Sequence, residues 1–593
     1  MKIFRKRYQG ILRIATVGVG VILQALFLFL ASSLLQQYFS WFYILVEVIA
    51  ICAAFSLVYN EESYKESWII IILVLPVFGF FLYFMWGRNR RNSRQYKRTR
   101  EVWERSREFL YQDPEVIEKF HDRHPNKSQI SRRLINDGYM IYDHTKVTYY
   151  EVGEKKLDAL CEDLEKAEKF IFLEYFIIND GEIWRRIKDI LARKVQEHVE
   201  VRLLYDDFGC LYLNNIEFRQ ELAKLGIRFS VFAPLHKGST RLTFNYRNHQ
   251  KIAIIDGNIG YTGGINLSDE YANIIERFGH WKDTAIRLEG EGVWGLTMIF
   301  LQMWEASKEY DNLDYKKYMP TLKFGSDIHA LDLTEDRVAE VLKDSEVAGQ
   351  AEEKKTAEKV EANEIAEHVD SETGKLGLQD TLEAEKKVVS EDAPEIGGAV
   401  KVATPHMFSD VGIVQPMADG PANNPNNPIW DTYMNMIGKA KDYIYFTTPY
   451  LVLEQEMVHE LCRAAKSGVD VRIITPRQYD KWYVYMATVK NYGKLLAGGV
   501  KIYEYLPGFI HSKTVVSDDD CAVCGSINMD YRSFFLHYEC GVFMSDVQAV
   551  MDIKADITET MKKCEEITLD KWKHRPLWQK VVQTGILLFS PIL

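Results

Sequence analysis

The chain predicts an α/β fold of two similar α/β/α subdomains related by a pseudo-twofold axis, preceded by an α-helical membrane hairpin. Three observations lead there. One polar pattern occurs twice: His249, Lys251, Asp256, Gly263, Gly264 and Asn266 recur at matching offsets as His511, Lys513, Asp518, Gly525, Ser526 and Asn528. Around each copy, apolar β-branched runs alternate with helical stretches in the same order, as in sheets covered by helices. Ahead of both lie three apolar stretches, each long enough to span a bilayer.

Those stretches are Ile14–Leu35, Trp41–Tyr59 and Trp68–Trp86. Trp41, Trp68, Tyr83 and Trp86 lie at their ends, where aromatic belts form. No short apolar core with a small-residue cleavage site marks a signal peptide. Basic clusters from Lys2 to Arg13 and from Arg88 to Arg100 both ask for the cytoplasmic side. The acidic connection Glu61 to Glu66 reads as external, so the second and third stretches form the hairpin and the first lies as an interfacial or re-entrant segment. Residues 1–87 are then a membrane anchor. Residues 88–138 form a basic juxtamembrane linker that attracts anionic head groups or serves as the positive-inside signal.

The first subdomain covers residues 139–324 and the second 408–560. Ala167–Ile177 matches Ala440–Tyr450 as a helix end and strand, Val199–Leu204 matches Val469–Ile474, and Leu222–Phe232 matches Leu495–Tyr505. Strands alternating with helices favour a mixed, mainly parallel sheet. Within each repeat, His and Lys sit two apart and project from one face of a strand. Gly263-Gly264-Ile-Asn266 and Gly525-Ser526-Ile-Asn528 follow a second short strand; there, small residues let backbone N–H groups approach an anion and the Asn amide adds a donor. Each half thus offers one imidazole, one fixed cation and several neutral donors, which is half of a phosphate site.

Between the subdomains, residues 325–407 form an acidic, low-complexity insertion without any aromatic residue. Asp332 to Glu395 holds 20 acidic against 8 basic side chains. The formal charge of −11 is therefore concentrated there, the remainder is close to neutral, and a flexible solvated linker is expected. Residues 561–593 are an amphipathic, membrane-proximal tail with tryptophans, cations and an apolar end, suited to a head-group region or to packing on the catalytic body.

Displacement at a phosphodiester needs a nucleophile on one side of phosphorus and a proton donor for the leaving oxygen on the other. Two imidazoles brought together by a pseudo-twofold meet that need, and two lysines balance the non-bridging oxygens without a metal.

The repeats resemble the two HKD signatures, His-x-Lys-x(4)-Asp-x(6)-Gly-Gly/Ser-x-Asn, of the phospholipase D superfamily. Arg247-Asn-His-Gln-Lys-Ile252, Gly263 to Tyr271, Thr448-Pro-Tyr450, Asn528 to Ser533 and the terminal Ser590 to Leu593 are similar to blocks of bacterial cardiolipin synthases; Gln250 stands where that family usually has Arg, a change read as peripheral. The resemblance implies phospholipase-D-like subdomains and transfer of a phosphatidyl group between two phosphatidylglycerol molecules, giving cardiolipin and glycerol through a phosphohistidine. It implies His249 as nucleophile and His511 as acid, then base, roles that the symmetry would let the two exchange, with Lys251 and Lys513 neutralising charge. Asp256 and Asp518 belong to the catalytic signatures and are expected to be structural or orienting rather than proton carriers. Gly263, Gly264, Asn266, Gly525, Ser526 and Asn528 would bind substrate. Asp283 and Glu539 occupy positions where the family has carboxylates that orient the imidazoles.

No cofactor, metal or nucleic acid is expected. The partners are phosphatidylglycerol and anionic membrane lipid, and the location is the bacterial plasma membrane, multi-pass, with the catalytic part facing the cytoplasm; homo-oligomerisation stays open. The alternatives are a phospholipase-D-type phosphodiesterase that hydrolyses head groups and a catalytically inactive lipid-binding scaffold. Cys521-Ala-Val-Cys524 is read as core strand, His236, His280 and His537 as pocket wall or core, and Asp206-Asp207 as pocket lining or turn cap.

Overall fold

The β-branched runs become strands in both halves. The first half holds β1 (Tyr142–Tyr150), β2 (Phe170–Tyr175), β3 (Glu200–Asp206), β4 (Arg228–Phe232), β5 (Lys251–Ile255), β6 (Ile259–Gly263), β7 (His280–Lys282) and β8 (Ala285–Gly290). The second holds β9 (Val411–Asp419), β10 (Tyr443–Thr447), β11 (Leu451–Val452), β12 (Asp470–Pro476), β13 (Lys501–Tyr505), β14 (Gly508–Ile510), β15 (Thr514–Ser517), β16 (Cys521–Gly525), β17 (Met529–Asp530), β18 (Glu539–Ser545) and β19 (Cys564–Ile567). This computed structural model describes residues 25–34, 38–58, 65–83, 94–110, 112–234, 246–308, 313–320, 411–422 and 426–588. The acidic insertion, most of the first apolar stretch, Arg88 to Arg91, His236 and Ser590 to Leu593 lie outside that set.

Fifteen strands share one sheet in the order β19-β13-β12-β10-β15-β16-β18-β9-β1-β8-β6-β5-β2-β3-β4. Read outward from the antiparallel pair β1 and β9, the halves run β1-β8-β6-β5-β2-β3-β4 and β9-β18-β16-β15-β10-β12-β13, one topology used twice. The duplicated sequence is thus a duplicated fold, joined through its first strands.

The expectation of a mainly parallel sheet needs correction. In each half three neighbouring strands, β2-β3-β4 and β10-β12-β13, pair in parallel, while the inner ones, and β19 on the outer edge of the second half, are antiparallel. Asp256 to Asn258 and Asp518 to Asp520 are turns of three residues, too short for the crossover that parallel neighbours require. Asp256 and Asp518 sit in these turns at φ of 53° and 54°, a left-handed conformation that aspartate tolerates. The Asp256 carboxylate accepts from the backbone N–H groups of Glu168, Lys169 and Phe170 at 2.7–2.9 Å; Asp518 accepts from Lys441, Asp442 and Tyr443 at 2.9–3.0 Å. Each therefore pins the start of the neighbouring strand.

Helices cross-link the halves. Val293–Ser307, apolar nearly all round and buried, follows β8 but also packs on β9; Gln548–Met561 follows β18 and packs on β1. The segment expected as a basic linker is three helices, Arg94–Ser106, Pro114–Arg123 and Ser128–Asn136, because Val116, Phe120, Ile130 and Leu134 enter the core. Its cations bind protein: Arg98 donates to the Glu305 carbonyl at 2.8 Å, and buried Lys127 reaches Asp518 at 3.0 Å and Ser517 at 3.2 Å.

Helices Phe39–Val58, Lys65–Val74 and Pro76–Leu82 pack together through Ala50, Trp68, Ile71, Ile72, Phe78 and Leu82. Among the described residues no helix is long and apolar enough to cross a membrane, so the expected transmembrane spans find no support here. Pro76 breaks the third stretch into helices of 10 and 7 residues, each about 15 Å long or less.

Removing the pins will separate their roles. Asp256→Ala, which strands three backbone donors, will lower unfolding stability by about 1–3 kcal/mol. Asp518→Ala, which also removes the nearer of the two carboxylates paired with buried Lys127 and leaves it Asp520 at 3.7 Å, will cost about 3–5 kcal/mol. Thermal unfolding of detergent-solubilised protein will rank Asp518→Ala lower; equal midpoints would contradict the Lys127 bridge.

Candidate active site

The two His-x-Lys segments precede β5 and β15, and each is fixed by the other half of the molecule. The backbone N–H of His249 donates to the Tyr538 carbonyl at 2.9 Å and that of Tyr538 to the Arg247 carbonyl at 2.9 Å. The N–H of His511 donates to the Lys282 carbonyl at 2.7 Å, continuing the parallel pairing of β14 with β7. Tyr538 and Lys282 immediately precede Glu539 and Asp283. Main-chain pairing across the halves therefore delivers a carboxylate to each ring.

The rings are held in a crossed manner. His249 Nδ1 lies 2.9 Å from both oxygens of Glu539, and His511 Nδ1 lies 2.6 Å from Asp283 Oδ2. Both carboxylates are fully buried. An Nδ1–H that donates to a carboxylate leaves Nε2 as the atom free for chemistry. Phe176 packs edge-on to His249 at 5.0 Å, with His537 beside it at 5.6 Å. Trp281, Phe509 and Tyr271 surround His511 at 5.3–5.7 Å.

Lys251 and Lys513 donate to the carbonyls of His249 and His511. Burial draws Lys251 down to about 7 and Lys513 down to about 8. Burial also pulls His249 well below the usual imidazole range, helped by Lys251, Lys513 and His511. His511 falls to about 4, through burial first and then Lys513, against the pull of Asp283. Two lysines and two imidazoles are thus buried around the Glu539 and Asp283 carboxylates, with their proton affinities lowered, so an anion bound among them would favour their protonated forms.

Six expected residues, His249, Lys251, His511, Lys513, Asp283 and Glu539, are thus brought together. Asp256 and Asp518 are not. They close β5 and β15 at the ends remote from the rings, about 15 Å along the strand, and their carboxylates are spent on backbone donors. Nor do the small residues form an open cradle. A Cβ on Gly263 would fall 2.5 Å from Ala285 Cα, and one on Gly525 would fall 2.4 Å from the Cys540 carbonyl, so both let neighbouring strands approach. A Cβ on Gly264 would fall 2.0 Å from Asp283 Oδ1; Ser526, its counterpart, donates to Glu539. Gly264 and Ser526 thus position the carboxylates that position the rings. Asn266 is engaged by the Ile177 N–H and the Tyr271 hydroxyl, whereas the Asn528 side-chain oxygen is buried without a partner.

Further residues support the site, of which Glu174, Asn248 and Ser533 carried no separate sequence signal. Asp206, buried, accepts from Arg247, from the Asn248 N–H and from the N–H groups of Phe208 and Gly209; it is a turn cap that also anchors the His249 segment. Asn248 donates to Glu174 at 2.5 Å, and Ser533 donates to Glu539 at 2.8 Å. Gln250 crosses to the Glu539 carbonyl at 3.1 Å, so it is a site support and not peripheral. Cys521 and Cys524 are buried free thiols on β16, in keeping with a core strand.

Gly264→Ala will displace Asp283 and lower turnover about a hundredfold, while Ser526→Gly, which loses one hydrogen bond, will cost about tenfold; a Gly264→Ala enzyme of full activity would refute the close contact. Burial raises the Glu174 carboxyl to about 8 from 4.5. The folded state therefore keeps a proton that the unfolded chain releases above 4.5, and stability declines as pH rises from about 4.5 to 8. Glu174→Gln will flatten that decline in thermal unfolding across the window.

Comparison with known proteins bears on the whole chain. The family model described as cardiolipin synthase, PLD-like domain, matches residues 160–276 and 433–561, and that described as phospholipase D-nuclease N-terminal matches residues 48–88. An uncharacterised protein of Streptococcus mutans is 34% identical over 89% of this chain and 96% of its own length. Cardiolipin synthase 2 of Bacillus anthracis is 31% identical over 90% of this chain and 88% of its own; cardiolipin synthase of Staphylococcus aureus is 29% identical over 91% and 94%. With two matched catalytic domains and that extent of identity, this chain is an enzyme that belongs to the cardiolipin synthase family of the phospholipase D superfamily.

Proposed function

We propose that the enzyme transfers a phosphatidyl group from one phosphatidylglycerol to the glycerol hydroxyl of another, releasing glycerol and forming cardiolipin. The observation that carries this reading is the crossed pair of imidazole–carboxylate contacts, which leaves two Nε2 atoms for one phosphodiester. His249, held neutral by burial and then by the surrounding lysines, attacks phosphorus. His511 protonates the departing glycerol oxygen, and Asp283 stabilises its imidazolium. The phosphohistidine on His249 is then attacked by the second lipid's hydroxyl as His511 takes back the proton. Lys251 and Lys513 offset charge on the non-bridging oxygens in both steps. One phosphodiester replaces another, so no external energy is needed, and the task of the site is to exclude water.

A membrane surface supplies both lipids. Supporting attachment, the N-terminal helices expose Leu26, Phe29, Trp41, Ile44, Val74 and Phe81, and the C-terminal helix Leu577–Leu588 exposes Leu577, Trp578 and Val581. Apolar exposure on this scale marks contact with lipid or protein. In this reading the catalytic part faces the cytoplasm, following the positive flanks.

In phosphatidylglycerol vesicles the purified enzyme will release glycerol and cardiolipin in equal amounts, and phosphatidic acid in place of cardiolipin would reassign it as a hydrolase. His249→Ala and His511→Ala will each lower turnover by about 10³-fold or more. Enzyme quenched in denaturant at mildly alkaline pH, where a phosphohistidine survives, will hold labelled phosphate on His249; label retained in His249→Ala would overturn the assignment.

A further inference from the structure

The two rings are not equivalent in their surroundings. Position 537 precedes Glu539 by two residues, as position 281 precedes Asp283. Next to His511 that position is Trp281, which offers no ligand atom; next to His249 it is His537. Among the described residues His537 Nδ1 is buried without a hydrogen-bond partner, and it stands 3.7 Å from Glu539 Oε1, beyond hydrogen-bond reach. One ligand atom each from His249, His537 and Glu539 lies within 4.8 Å of the other two.

We propose that His249, His537 and Glu539 form a binding site for one zinc-class divalent ion, and that its occupation shuts the enzyme off. Two imidazoles and a carboxylate are a zinc donor set that leaves a fourth position for water. Ligands about 2.1 Å from a tetrahedral ion stand about 3.4 Å apart, between the 2.9 Å and 3.7 Å seen from Glu539 to its two imidazoles, so small side-chain adjustments close the site. The outer partners are in place: Ser526 and Ser533 donate to Glu539 and fix its orientation. The His537 side chain is 14% exposed, which leaves the ion a way in. Binding displaces the Nδ1 proton of His249 to solvent and puts the ion where that N–H had donated to Glu539. The ring then carries a metal on Nδ1, its Nε2 is a weaker nucleophile, and the ion and phosphodiester compete for His249. The His511 side has no counterpart, because Trp281 denies it the same set.

The inhibitory part rests on the catalytic role proposed for His249; the binding part does not, and the two are read separately. Zn²⁺ or Co²⁺ alone is titrated into the full-length enzyme in detergent by calorimetry, and the Co²⁺ complex is examined by visible absorption. One ion per chain with intense four-coordinate Co²⁺ bands is expected, and at least tenfold weaker binding in His537→Asn. Zinc will inhibit phosphatidyl transfer, EDTA will restore it, and the inhibition constant will rise at least tenfold in His537→Asn relative to that variant's own zinc-free rate. Weak octahedral bands, or equal affinity in a His537→Asn protein of unchanged thermal midpoint, would overturn the site. Stoichiometric binding with full activity would overturn the inhibition alone, and loss of binding in His249→Ala with activity retained would fault the catalytic reading and leave the site standing.

Discussion

Each imidazole of this enzyme is oriented by a carboxylate that belongs to the other half of the chain. His249 depends on Glu539, and His511 depends on Asp283. Neither half can therefore assemble even one correctly held ring. The rest of the architecture follows from this need: β1 and β9 join the halves edge to edge, each half's last long helix packs on the other's first strand, and β7 pairs with β14 across the boundary. These are contacts of a permanent interface, with the rigidity that catalytic geometry demands.

The same convergence buries positive charge. Two lysines and two imidazoles are removed from water, and two buried carboxylates are committed to the rings. Such a site is unfavourable when empty and favourable when an anion enters, so the folding energy stored in strand pairing and in the Asp256 and Asp518 pins is what holds the cations together. This explains why the aspartates of the repeated pattern are far from the rings. They fasten the turn after β5 or β15 to the start of its neighbour and so fix the register on which His and Lys project.

The repeat, the two matching subdomains and the six convergent residues were legible because their chemistry is written at fixed spacing on strands whose alternation is known. Asp256 and Asp518 were placed with the catalytic groups because offsets along a chain do not say at which end of a strand a residue lies. The inner antiparallel pairings were missed because a three-residue turn is weak punctuation inside a long α/β pattern. Residues 88–138 read as a linker because the cations outnumber Val116, Phe120, Ile130 and Leu134, although those four are enough to seat three helices. Glu174, Asn248 and Ser533 act only through other residues, and nothing in a single sequence announces such a role.

Duplication supplies two equal rings, whereas displacement at phosphorus requires unequal ones. The inequality comes from few side chains on a common backbone. Glu539 meets His249 with both oxygens and is itself held by Ser526 and Ser533, whereas Asp283, one methylene shorter, meets His511 with one oxygen, close against Gly264. His249 has an imidazole as neighbour where His511 has an indole. Burial, and after it Lys251, Lys513, His511 and Lys481, holds His249 toward its neutral form. An indole and two further aromatic rings enclose His511, where burial and then Lys513 lower its proton affinity against the pull of Asp283. Symmetry builds the cradle, and its local failure divides the labour within it.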